Sequence, residues 1–185
     1  FLIAGFNGQW RIEPDSALYL SVAKNIANGE GYTYHDSPHR LAYPGLPYLL
    51  AGLFKLFGPT LLPGHVLMLL LTFVVLALNY RLFLLHADRP TAVLMTCGLG
   101  ATKLFYKYGF YLLTEIPFLI GVLAFLVGYE AIIRSRDAEL SRRVRLRWYD
   151  MIFLVGGLSL AMVMRPTMWA LVIAIAATVG WSMIT

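Results

Sequence analysis

The stretch from Leu61 to Leu85 most constrains this chain, because Arg81 is its only ionised residue. A helix needs about 20 mostly apolar residues to cross the hydrocarbon core of a bilayer. This run meets that length, with Asn79 and Arg81 near one end. Thr91 to Phe105 predicts a second span, bounded by Pro90 and by Lys103 and Lys107, and Ile116 to Ile133 predicts a third. Phe1 to Phe6 reads as the tail of a further span. Met151 to Thr185 carries one charge, Arg165, directly before Pro166, which predicts a short span, a break and a returning span in preference to one long tilted helix. The chain starts without methionine and ends within an apolar run, so it reads as a piece of a larger multispan protein.

Composition agrees. The 185 residues are 59% hydrophobic and 14% charged, against about 45–50% and about 25% in an average soluble domain. Disorder, collagen and coiled coil are excluded by that balance, and the single Cys97 rules out an internal disulfide. The net charge of +5 matters less than its placement. Arg134, Arg136, Arg142, Arg143, Arg145 and Arg147 crowd one short loop, which predicts a cytoplasmic loop touching anionic lipids and no nucleic-acid partner. Counting back from it puts Lys107 to Glu115 outside, His86 to Arg89 inside and roughly 7–63 outside.

That outer segment predicts two short surface helices. One begins around Asp15-Ser16 and stops at Asn28-Gly29; the other runs from Leu46 to Phe57 and closes at Gly58-Pro59. The expected fold is therefore all-α: a polytopic transmembrane helical bundle with amphipathic juxtamembrane helices in the first extracytoplasmic loop. Its parts are 1–6 (end of the first span), 7–63 (outer loop) and 64–185 (further spans).

Several residues could carry chemistry at the outer face. Asp15 is either an N-cap or a general base for an acceptor hydroxyl or amine. Glu115, in Leu113-Thr114-Glu115-Ile116-Pro117, is either a helix-start acid behind a Thr114 cap or a second acid facing Asp15 across a cavity, binding a metal or the acceptor. Arg165 either snorkels at a helix end or holds the phosphate of a lipid-linked substrate. Arg40, Lys103 and Lys107 are further cations able to meet a phosphate. His35 and His39 have a helical metal spacing, opposed by Pro38 between them. The chain has no Gly-rich phosphate loop, zinc array or Gly-x-Ser-x-Gly elbow.

The order Glu13-Pro14-Asp15-Ser16-Ala17-Leu18-Tyr19-Leu20, then Ala23 to Tyr32, then Tyr43-Pro44-Gly45-Leu46-Pro47-Tyr48, then Leu53 to Gly58 resembles the N-terminal half of the GT-C membrane glycosyltransferases. The protein O-mannosyltransferase and lipid A aminoarabinose transferase group is the nearest in pattern. Leu113 to Phe118 and Met164-Arg165-Pro166-Thr167 match its recurring segments, so the resemblance covers nearly the whole chain. It implies an enzyme that moves a sugar from a polyprenyl-phosphate donor to a protein or lipid acceptor on the extracytoplasmic face. The setting implied is a multi-pass protein of the plasma (inner) membrane, if bacterial. By position, Asp15 matches the family's catalytic base and Glu115 its second acid. Arg165 falls in the Arg-Pro segment, where it and Arg40 are candidates for holding the phosphate. The resemblance admits a divalent metal ion, with His39 and Glu115 as candidate ligands. It departs from the family where Ala42-Tyr43 stand before Pro44-Gly45, in place of an acid and a lysine before Pro-Pro. It departs again where Ser16, not a second acid, follows Asp15. A transporter or a lipid-binding assembly factor is the non-enzymatic alternative.

Overall fold

The computed structural model describes residues 13–35, 37–38, 43–139, 148–170, 172–174 and 176–177. Phe1 to Phe6, His39, Arg40, Ala42 and most of the arginine-rich loop lie outside the described residues.

Helix α1 (Pro14–Asn28) begins with proline at its first position, where the missing N–H costs nothing. The cap is therefore Glu13, and Asp15 is not the N-cap. It sits one residue inside the first turn, where the helix dipole favours an acid. Gly29 ends the helix in the left-handed region (φ 85°), its N–H bonding back to the carbonyls of Asn25 and Ile26. A two-stranded hairpin follows, β1 (Thr33–Tyr34) with β2 (Ser37–Pro38) antiparallel, a small exception to the all-α expectation. The Asn25 amide ties it to α1 by donating to the Thr33 carbonyl at 3.0 Å and to its hydroxyl at 3.1 Å. Helix α2 (Gly45–Phe57) lies against α1. Ala23, Leu46, Leu50, Ala51, Met68, Leu112 and Met164 form one buried cluster that joins both to the longer helices.

Helices α3 (Leu62–Leu84) and α6 (Glu115–Glu139) are long and apolar enough to cross a membrane. Only 22% of the most apolar window of α3 is buried within the fold, so its apolar side chains mostly face outward. Residues 91–105, expected as one span, instead divide into α4 (Arg89–Gly100) and α5 (Lys103–Phe110). Gly98 and Gly100 weaken the helix there, and the Thr102 hydroxyl caps the next one by accepting from the Phe105 N–H at 3.3 Å. Twelve residues of α4 rise only about 18 Å, short of the roughly 30 Å core. The chain still returns along α3: Gly100 lies against Leu76, Gly109 against Thr72 and Leu112 against Gly64.

Helix α7 (Trp148–Met164) runs antiparallel to α6 in the tightest helix pairing among the described residues. A Cβ on Gly121 would stand 2.6 Å from the Ala161 nitrogen, and one on Gly128 would stand 2.5 Å from the Leu154 nitrogen. Small residues thus bring the two backbones into contact, as in membrane helix pairs. The expected break falls at Arg165-Pro166, since proline disfavours helical backbone in the residue before it. Helical backbone resumes at 168, and Met168 packs in one cluster with Phe125 and Ala161.

Ion pairs sort the helix ends into two groups. At one end Lys107 meets Glu13 at 2.8 Å and Arg165 meets Glu115. At the other, Glu130 of α6 takes His86 at 3.5 Å and Arg134 at 3.6 Å, and Arg134 also donates to the Leu85 carbonyl.

Candidate functional site

The first end gathers four side chains from three distant segments. The Thr114 carbonyl accepts the Phe118 N–H at 2.9 Å, opening α6 and leaving its hydroxyl free for other work. Arg165, released from α7 by Pro166, donates from Nε to that hydroxyl at 2.8 Å and from Nη2 to Glu115 Oε1 at 2.5 Å. Thr114 also hydrogen-bonds the phenol oxygen of Tyr19, on α1. The guanidinium is thus held in a fixed plane by two partners some fifty residues away. Arg165 and Glu115 side chains are each about one-third exposed or less (36% and 27%), which places the pair at a boundary and not in the middle of an apolar run.

Two oxygens remain unsatisfied. Glu115 Oε2 is sealed from solvent with no hydrogen-bond partner among the described residues, and so is Ser16 Oγ. Buried acceptors of this kind are uncommon, and each marks a place where a donor belongs.

Beside the pair is an open cavity of about 290 Å³, walled by Tyr19, Tyr43, Thr114, Met164, Arg165, Pro166 and Thr167. That is close to the lower bound of ligand pockets, about 300 Å³. Burial raises the Tyr19 phenol pKa above its usual value, and the charges of Asp15 and Glu115 add to this. The Thr114 hydrogen bond and the Arg165 charge oppose it. Tyr32 stacks on Tyr48 with ring centres 6.0 Å apart; burial, helped by Tyr19 and Tyr48, pushes its pKa up to about 12.

The structure treats the expected site residues unequally. Asp15 is exposed, one turn before Tyr19 and so on the same side of α1. Both Asp15 and Glu115 act on the Tyr19 phenol, yet neither lines the cavity; Tyr19, Thr114 and Arg165 do. Lys107 is taken by Glu13, which raises its pKa chiefly through their hydrogen bond, and Lys103 is exposed. Arg40 and His39 lie outside the described residues. His35, at φ 48°, directly follows β1 of the hairpin and is not on a helix. Among the described residues no three His, Cys, Asp or Glu side chains gather to hold a metal, and Glu115 is engaged by Arg165. The described residues do not fit a metal cage.

Tyr19, Tyr43, Thr114 and Glu13, the partner of Lys107, were not anticipated from sequence as site residues. Only the polar Thr114 beside Glu115 gave any local sign. Comparison with protein-family models, curated proteins and solved structures yields no match for this chain.

Proposed function

We propose that this chain is the N-terminal membrane part of a GT-C-like glycosyltransferase that takes a sugar from a polyprenyl-phosphate donor at the extracytoplasmic face of a multi-pass membrane protein. The observation that carries the reading is Arg165, braced by Glu115 and Thr114 on the wall of a cavity, with an exposed carboxylate, Asp15, one turn from the cavity residue Tyr19. A guanidinium with two of its donors already committed still has N–H groups to offer a phosphate.

In this mechanism an acceptor hydroxyl or amine attacks the anomeric carbon from the side opposite the phosphate. Asp15 takes the acceptor's proton, and the carbon–oxygen bond to phosphate breaks with its electron pair leaving on the phosphate. Arg165 stabilises that charge, and the partly dry setting strengthens the interaction relative to water. Glu115 acts through Arg165 as a positioning residue. The outward apolar face of α3 supplies the surroundings for the polyprenyl tail.

Asp15→Asn should abolish sugar transfer from a labelled polyprenyl-phosphate sugar while donor binding persists. Full transfer by that variant would defeat the base assignment. Donor binding without transfer by the unaltered protein would favour a lipid-binding, non-enzymatic role.

A further inference from the structure

At the opposite end of the helices a second hollow, of about 640 Å³, opens between the last turns of α3 and the exposed side of α4. It is lined by Tyr80 and, from α4, by Arg89, Pro90, Val93, Leu94 and Cys97. The α4 residues fall at 89/90, 93/94 and 97, a single helix face by the 3.6-residue period. Val93 and Leu94 are 48% and 73% exposed, so the floor is apolar and open.

The charges nearby have different states. Arg81 lies over the Phe153 ring at 4.9 Å, and Arg134 is held by Glu130 and the Leu85 carbonyl. Arg89 is exposed, follows Asp88 in the chain, and among the described residues has no acid, carbonyl or ring on it. An apolar trough with an uncommitted guanidinium at one end of its α4 stripe has the polarity pattern of a lipid, chain along the trough and phosphate at the arginine. Basic pockets between membrane helices bind anionic headgroups by this complementarity.

We infer that the α3–α4 groove is a binding site for an anionic glycerophospholipid, with one acyl chain on Val93, Leu94 and Cys97 and the phosphate on Arg89. The site requires only that the long helices lie in a bilayer, and it stands or falls separately from sugar transfer.

The full chain, purified in detergent and presented with equal amounts of phosphatidylglycerol and phosphatidylcholine of matched chain length, tests this by native mass spectrometry. Phosphatidylglycerol should be retained preferentially. Arg89→Gln should lower that retention about fivefold, whereas Lys55→Gln, the same charge change on α2, should leave it unchanged. Val93→Trp, which fills the trough, should expel both lipids. Equal retention of the two lipids by the unaltered chain would overturn the site, as would Arg89→Gln retaining phosphatidylglycerol fully. Displacement of the lipid by millimolar inorganic phosphate alone would show that the trough contributes nothing, and would also overturn it.

Discussion

The two ends of this molecule both carry arginine–carboxylate pairs, yet they are built differently. At one, Arg165 reaches back about fifty residues to Thr114 and Glu115, and the partly buried group borders a cavity. At the other, Arg134 meets Glu130 one turn away on its own helix and donates to the Leu85 carbonyl, while His86, 58% exposed, joins from the neighbouring loop. The first arrangement exists only when α1, α6 and the end of α7 are assembled. In the second the arginine–carboxylate pair itself lies within one helix, four residues apart, and the Leu85 carbonyl and His86 tie it to the end of α3. Charge pairs that need tertiary assembly and keep an unsatisfied oxygen are where function is to be sought; exposed pairs within one helix are worth little.

That contrast can be broken most strongly at Arg165. Arg165→Ala leaves the Glu115 carboxylate half-buried without its cation, and should cost about 2–3 kcal/mol of unfolding free energy, below the fully buried case because the pair is partly exposed. Arg134→Ala should cost at most about 1 kcal/mol. Denaturant unfolding in detergent measures both. Next in size, a double-mutant cycle of Arg165→Ala with Glu115→Gln should give a coupling of about 1–2 kcal/mol, against less than about 0.5 kcal/mol for His86→Ala with Glu130→Gln. Equal couplings would erase the distinction.

Thr114→Val removes the acceptor of Arg165 Nε and should cost about 1 kcal/mol. Ultraviolet titration should also show the Tyr19 phenol moving further upward, because the hydrogen bond that opposes its shift is gone.

The smallest effect at neutral pH concerns Tyr32. Its pKa rises from 10.0 to about 12 on folding, so the neutral phenol is favoured in the native state. Its contribution is fully present below pH 10 and is lost as pH climbs from about 10 to about 12. Tyr32→Phe should remove that part of the alkaline decline in stability.

How far the sequence carried depended on the range of the interaction. The stop at Asn28-Gly29, the bounds of α2 and the break at Arg165-Pro166 were all legible, because each is set by the conformational limits of glycine or proline within a few residues. The division of residues 91–105 was missed because hydropathy weighed the apolar side chains, whereas Gly98, Gly100 and the Thr102 cap decided the backbone. Of the two readings of Asp15 the capping one fails, because Pro14 takes the first helical position and puts the cap at Glu13, two residues earlier. Glu115 and Arg165 were each singled out alone. Their pairing, and the roles of Thr114 and Tyr19, were hidden because nothing local links positions so far apart.

Binding of a labelled polyprenyl phosphate to the unaltered chain, Arg165→Ala and Arg134→Ala tests the central claim most directly. Loss of one guanidinium–phosphate contact should weaken binding about tenfold or more in Arg165→Ala, with Arg134→Ala close to unaltered. Equal affinity across the three proteins, or a larger loss in Arg134→Ala, would contradict the placement of the phosphate beside Glu115.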